Sequence, residues 1–474
     1  EHVSVLHGGL RDPEPPVGGA LRIQLGTAAI DALEQVAVRL ISEQDLAALL
    51  PNPLLEQPAR ISVTNANWDS LVVDLTPVAG KLDLTVALVG VNITVEIGVG
   101  QNPALPAVVG VERINVTGAL VPRIVEGRLE ADIPEDQLEV ELVGLMVALD
   151  EIDDFGDPNQ EANLLEQVIG AALTFAISDR IPGALEGLLG RLDDPFEFSV
   201  LGATLAIELL PEVLVVSERG LGVRIGVDVN LVGAPNPPSE LPGYLSTPSA
   251  WNGVPDTDQL GVAVDDDLLN AVLFQLWRSG VLLPVIDQAF IQSGGPELNI
   301  LANLLQTMAQ DAEPGFDRNT PLAAVTRLPL PIAVRVRKGA DERIGLELGI
   351  AGLELSLRTD DAAARTILDG SATLLVAGDL GVTVGANNDL GLVLEIPEGG
   401  FATAFDVVTE ALRGAREAAV EARTETLLDA IGAFVPGLLQ GLALPTIELV
   451  QFGAITVGTA PQDPNFLILD VSVQ

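Results

Sequence analysis

"LALPTIELVQFGAITVGTAPQDPNFLILDVSVQ" (Leu442–Gln474) is mostly apolar, although the chain it closes is salted with Asp and Glu. Two apolar stretches flank "APQDPN" (460–465). In the second, Leu467, Leu469, Val471 and Val473 point one way and Asp470 and Ser472 the other, the period of a strand with one dry face. Such a pair of strands has to complete a sheet supplied by earlier parts of the chain.

Upstream, one pattern is written twice. The first half opens with "GTAAIDALEQVAVRLISEQDLAALLPNP" (26–53), where Ile30, Leu33, Val36, Ala37 and Leu40 recur at helical spacing before Pro51 and Pro53. Alternating segments follow at 59–80, 81–100, 113–134 and 137–152, punctuated by Gly and Pro. That is the pattern of an antiparallel meander with one face dry. A long helical pattern covers 158–192, and strand patterns at 196–210 and 221–233 close the half. "APNPPSELPGYLSTPSAWNGVPDT" (234–257), rich in Pro and Ser, predicts a linker. The second half repeats the order. "DDDLLNAVLFQLWRSG" (265–280) starts on acids suited to a helix N-terminus, with Leu269, Val272, Leu273 and Leu276 on one face. A helix at 296–312, strands at 330–339, 343–359 and 371–385, and a long helix from about 401 to 439 precede the closing pair. The expected organisation is a polar lead (1–17), a first unit (18–232), a linker (233–257) and a second unit (258–474).

The tail resembles the C-terminal strand pair, "PLP…V-x-L…P-x-x-x-FL", of the family of bactericidal/permeability-increasing protein. That family includes lipopolysaccharide-binding protein and the phospholipid and cholesteryl ester transfer proteins. "LGVAVDDDLLNAVLFQLWRSGVL" (260–282) resembles the segment that follows that family's linker, and "GTAAIDAL" (26–33) the opening of its first helix. The resemblance implies an α+β fold: an elongated boomerang of two barrels, each a highly twisted antiparallel sheet wrapped on two helices, joined by a central sheet. It also implies non-catalytic lipid binding and transfer, with one apolar pocket per barrel between helices and meander. The residues expected to face lipid are Leu33, Val36, Ala37 and Leu40, then Val168, Ile169, Ala172, Leu173 and Ala176. In the second unit they are Leu269, Val272 and Leu276, with Val407, Ala411, Leu427 and Ile431 on the last helix. Apolar stripes of this kind also build ordinary cores, so a scaffold with filled pockets stands as the alternative.

Composition narrows the cargo. Lys and Arg total 24 against 67 Asp and Glu, a formal net charge of −43, which repels nucleic acid. Lipid A phosphates call for Lys and Arg, so neutral or zwitterionic lipid, phospholipid above all, is expected rather than lipopolysaccharide. Membrane contact should be transient. Aromatics are 3%, too few for the girdles of a membrane barrel. Cysteine is absent, which excludes disulfides, including the one vertebrate members of the family carry. "EHVSVLHGGLRDPEPPVGG" (1–19) reads as the start of a mature exported chain, periplasmic or extracellular, with a lead suited to an outer-membrane tether.

No catalytic constellation is expected. The two histidines are His2 and His7, and no G-x-S-x-G accompanies "HGGL" (7–10). "LDEIDDFGDPNQE" (149–161) departs from an EF-hand at Phe155 and Ala162; it is a solvated loop or a weak calcium site. "RVRKGADER" (335–343) is an exposed turn neutralised by Asp341 and Glu342, or a headgroup contact. No cofactor is expected beyond bound lipid.

Overall fold

The computed structural model describes residues 9–11, 16–42, 52–53, 60–98, 105–134, 137–149, 196–200, 203–233, 243–247, 249, 251–281, 296–338, 343–384, 390–397, 399–408, 418, 420–424 and 452–473. The first half contributes β1 (Gly9–Arg11), β2 (Val17–Leu25), α1 (Thr27–Ser42), β3 (Arg60–Asn67), β4 (Ser70–Val78), β5 (Lys81–Gly98), β6 (Leu105–Val125), β7 (Arg128–Asp132), β8 (Glu139–Leu149), β9 (Phe196–Val200), β10 (Ala203–Ser217) and β11 (Gly220–Leu231). The second contributes β12 (Tyr244–Ser246), β13 (Leu260–Asp265), α2 (Asp266–Ser279), α3 (Pro296–Ala312), β14 (Leu322–Arg327), β15 (Ala333–Lys338), β16 (Ile344–Thr359), β17 (Thr366–Val384), β18 (Leu390–Glu395), β19 (Phe401–Val407), β20 (Phe452–Ala460) and β21 (Asp463–Val473).

Two six-stranded antiparallel sheets share one plan. In the first, the long strands β5 and β6 pair, β3 and β4 lie end to end along β5, and β8 and β7 along β6. In the second, β16 and β17 pair, β14 and β15 flank β16, and β19 and β18 flank β17. The twofold writing of the sequence is therefore a twofold topology. Alternation decides which face is dry: Leu82, Leu84, Val86 and Leu88 of β5 are buried, while Asp83 and Thr85 between them are only half-covered.

A seven-stranded sheet, β20-β21-β13-β2-β11-β10-β9, draws on both halves. At its middle Ile23 pairs with Val262, with Leu21 opposite Val264 and Leu25 opposite Leu260. The tail takes the place its pattern predicts. Leu467, Leu469 and Val471 are fully buried, half-buried Val473 packs against the same core, and Asp470 accepts a hydrogen bond from Thr257 Oγ1 at 2.8 Å. Its other face is not simply polar. Phe466, fully buried, joins Trp251, Ala263 and Ala460 in a second small core, with half-buried Ile468 against it.

The expected lead and linker are tied into the fold, the lead through a small two-stranded sheet of its own. Residues 9–11 of the lead pair with β12, inside the Pro-rich segment, through Gly9–Ser246 and Arg11–Tyr244. The end of that segment caps α1: Gly26 N donates to Gln259 O (2.8 Å) and Ala28 N to Asp258 O (2.9 Å). A Cβ at Gly26 would lie 2.2 Å from the Asp258 carbonyl carbon, so only glycine admits this approach. Helix α2 begins with Asp265 as N-cap, as the acids predict, and ends at Gly280 in the left-handed region (φ 77°).

The expected helix over 401–439 is corrected at its start. Residues 401–407, including Val407, form β19 against Gly370–Val376 of β17. "FATAFDV" is Ala-rich enough to mimic a helix, but Phe401, Thr403, Phe405 and Val407 alternate, and an open edge of β17 satisfies their backbone. Residues 420–424 are helical; Ala411, Leu427 and Ile431 lie outside the described residues. So does the whole pattern at 158–192, with Val168, Ile169, Ala172, Leu173 and Ala176, and the acidic segment 150–161.

Phe466→Ala should cost about 3–5 kcal/mol in urea unfolding, the usual loss for a buried aromatic. Ser472→Ala, on a half-covered position of the same strand, should change stability far less, by roughly 0.5–1 kcal/mol for the hydroxyl's bond to Ala454 O. Equal effects from the two would mean that the second core contributes nothing.

Candidate functional site

The helix faces expected to meet lipid divide into two kinds. On α1, Val36 is buried with Ile30, whereas Leu33 and Ala37 are half-buried at the edge of the same core. The side chain of Leu40 lies outside the described set. Glu34 Oε1 accepts from Leu75 N at 2.6 Å and so ties the helix to β4. Burial raises the Glu34 carboxyl above its ordinary range, partly opposed by that bond.

On α2 the apolar face is sealed. Leu269, Val272 and Leu276 are 6%, 5% and 1% exposed, and Leu273 and Phe274 beside them are as deeply buried. The polar residues of this helix serve the fold too. Asn270 donates to Val334 O (2.9 Å) and accepts from Val334 N (2.7 Å), Gln275 donates to Val229 O (2.8 Å), and Trp277 Nε1 donates to Leu328 O (2.7 Å). These bonds pin α2 to β11 of the first half and to β15 and residue 328 of the second. Val407, on β19, is half-buried at the edge of the main core.

Beside the start of α2 lies a polar cavity of about 320 Å³, lined among others by Arg22, Glu212, Arg224, Trp251, Asp265 and Asp267. The Arg22 guanidinium, 3% exposed, sits 4.5 Å from the Trp251 ring centre and 4.0 Å from that of Phe466. It donates to Gly19 O (3.2 Å) and Gly253 O (3.0 Å). Burial lowers its pKa, and the nearby Asp265 carboxylate opposes that shift. Glu212 bridges Gly19 N (3.0 Å) and Arg224 Nε (3.1 Å).

Asp265, Asp266 and Asp267 are buried at 3%, 1% and 5% exposure. Burial first, and the Asp267 charge second, push Asp265 up to about 8 and Asp266 to about 7. The pair therefore keeps a proton near neutrality, facing Asp267, Asp463 and, across Asp265, Arg22. The sequence marks these acids as a helix start; the signal of burial was the apolar "LGVAV" immediately before them. Arg22, Glu212 and Asp463 carried no local signal, because what gathers them is long-range strand pairing.

The basic residues at 335–343 are neutralised across strands. Arg335 pairs with Glu347 (2.5 Å), and Arg337 (3.7 Å) and Arg343 (2.8 Å) share Asp379. Residues 339–342, with the expected partners Asp341 and Glu342, lie outside the described set. Among the described residues no helix is long and apolar enough to cross a membrane.

No protein-family model matches the sequence, and no curated protein matches it by sequence. Solved structures do. A crystal structure of lipopolysaccharide binding protein aligns over 97% of this chain and 99% of its own, with a TM-score of 0.51 and 12% identity. The chain has the fold of lipopolysaccharide binding protein. At that identity the likeness concerns architecture, and it agrees with the resemblance carried by the tail and by 260–282. P47 of Clostridium botulinum E1 (TM-score 0.25, 7% identity, 97% of this chain and 100% of that one) and latherin (TM-score 0.21, 15% identity, 34% and 84%) also match, but superpose too loosely to bear on the architecture.

The raised carboxyls have a pH consequence. The unfolded chain releases these protons near pH 4 and the folded chain holds them to pH 7 or 8. Their contribution to stability is full below about pH 4, declines as pH rises, and is gone above about pH 8. Melting temperature should fall between about pH 5 and 8 and level off above that, and Asp266→Asn should flatten the fall. An unchanged slope in the variant places the titration elsewhere.

Proposed function

We propose that this chain is a non-catalytic lipid-binding and transfer protein, built as two barrels of the same plan that each shelter acyl chains between helix and meander. The observation that carries this is the fold of lipopolysaccharide binding protein over 97% of the chain. It is joined to an α1 whose Leu33 and Ala37 remain half-covered at the helix–sheet edge. A palmitoyl-length chain laid along such an edge gains on the order of 10 kcal/mol, at about 0.8 kcal/mol per methylene, before ordering costs. That is enough to retain lipid through purification.

The cargo is a neutral or zwitterionic lipid, phospholipid first. A net charge of −43, with Arg335, Arg337 and Arg343 already paired, leaves little to recognise lipid phosphates. Transfer proceeds by transient docking on a membrane and exchange through a lateral opening, by an exported protein acting in the periplasm or outside the cell. No described residue is a histidine or a cysteine, which suits a carrier better than a hydrolase.

One observation favours the alternative scaffold for the second half: the Leu269, Val272 and Leu276 face is already filled by protein. Native mass spectrometry of the purified chain, followed by solvent extraction, separates the two. A carrier retains acyl lipid, and Leu33→Asp or Leu173→Asp lowers its lipid-to-protein ratio several-fold while the melting temperature is recorded alongside. A lipid-free mass that stays unchanged after incubation with phosphatidylcholine vesicles refutes the carrier and leaves the scaffold.

A further inference from the structure

Residues 251–259 form a strap over one face of the seven-stranded sheet, and every second residue fastens it. Trp251 is buried against Phe466, Gly253 O accepts from Arg22 Nη1 (3.0 Å), and buried Pro255 covers Gly261. Thr257 Oγ1 donates to Asp470 (2.8 Å), and Gln259 O accepts from Gly26 N (2.8 Å). Asn252 lies between the first two fastenings, exposed and outside any helix or strand. Among the described residues its amide has no hydrogen-bond partner, and neither has Gly253 N. Asn252–Gly253 is also the one Asn-Gly pair in the chain. Packing requires the glycine: a Cβ at residue 253 would lie 2.6 Å from Trp251 Nε1.

We propose that Asn252 is a site of spontaneous deamidation, and that its conversion loosens the strap from Arg22. The chemistry needs only hydroxide and water. Gly253 N gives its proton to hydroxide and attacks Asn252 Cγ; a C–N bond forms, the Cγ–Nδ2 bond breaks, and the amide nitrogen leaves as ammonia. Water then opens the five-membered succinimide at either carbonyl, giving aspartate or isoaspartate. No side chain on residue 253 obstructs the approach of its nitrogen to Cγ, and no hydrogen bond holds either group away. The two products differ in what they do to the strap. Isoaspartate routes the main chain through the former side chain and adds one methylene between Trp251 and Gly253. Both neighbours are fastened, so the extra length displaces the Trp251 ring or Gly253 O, each of which covers the Arg22 guanidinium. A buried cation that loses such a partner destabilises the fold around it. Aspartate leaves the main-chain length unchanged and adds a carboxylate to a cavity already lined by Glu212, Asp265 and Asp267.

The test is peptide mapping by mass spectrometry of the full chain held at mildly alkaline pH, with circular dichroism recorded alongside to show that it stays folded. The expected result is a gain of about 1 Da on the peptide that contains Asn252, before any other asparagine converts, with isoaspartate among the products. Asn252→Gln, whose longer side chain closes a ring far more slowly, should leave that peptide unchanged. The aged wild type should melt about 2 °C or more below the fresh protein, and aged Asn252→Gln should not. Conversion of another asparagine first, in a chain that keeps its circular dichroism, overturns the site. Conversion at 252 with an unchanged melting temperature overturns the loosening. Asn252→Asp, made directly, separates added charge from added length: its melting temperature should stay near that of the fresh wild type. A fall as large as that of the aged chain overturns the role given to main-chain length.

Discussion

The guanidinium of Arg22 sits in the corner formed by the rings of Trp251 and Phe466 with almost no access to water, and three remote parts of the chain must be in place to hold it there. Arg22 comes from β2, Trp251 and Gly253 from the segment between the halves, and Phe466 from the final strand. A buried cation without partners costs several kcal/mol. This one has two ring faces, two carbonyls, and the field of Asp265 and Asp463. A desolvated cation–ring contact contributes up to about 2 kcal/mol. The tail completes the arrangement: Phe466 adds the second ring and Asp463 a second carboxylate to the carbonyls, Trp251 and Asp265 that the rest of the chain provides.

This arrangement is one use of rings in a chain poor in aromatics. The main core is aliphatic, assembled from alternating Leu, Val and Ile of long paired strands. Phe316 and Phe405 join that core, and other described rings gather at two further places. Trp251 and Phe466 meet edge-on at 5.0 Å around Arg22, and Phe274 lies between Tyr244 (6.0 Å) and Trp277 (5.6 Å) on α2. The excess of acid is mostly left to solvent. Among the described residues Asp265, Asp266, Asp267 and Asp463 are the buried ones, and they cluster beside the buried arginine.

What was legible in the sequence is what a local period encodes. Ile30, Leu33 and Val36 placed α1, the acids at 265–267 placed the start of α2, and the alternation of Leu467, Leu469 and Val471 placed the buried face of the last strand. The order of elements, written twice, carried the fold. What stayed hidden depends on partners far away in the chain. Residues 401–407 alternate too briefly to outweigh an alanine-rich composition, and their pairing with β17 settles the matter. The Pro-rich segment looked like a plain linker because nothing local says that Trp251 is buried or that Asp258 and Gln259 cap a helix. On the candidate site, the sequence marked an apolar face on each helix alike. Only packing separates the half-covered edge of α1 from the filled face of α2.

The register at the middle of the central sheet has a consequence for symmetry. Placing Ile23 on Val262 puts Leu21 on Leu260 and Leu25 on Val264, so the pairs Leu21–Val264 and Leu25–Leu260 simply exchange. The next strands obey the same operation: Ile23 neighbours Val223 and then Leu214, and Val262 neighbours Leu469 and then Val457. A self-complementary contact of this kind has the geometry of an isologous interface, here made within one chain. Each half presents to the other the edge that it receives: β2 would be bare without β13, and β13 without β2.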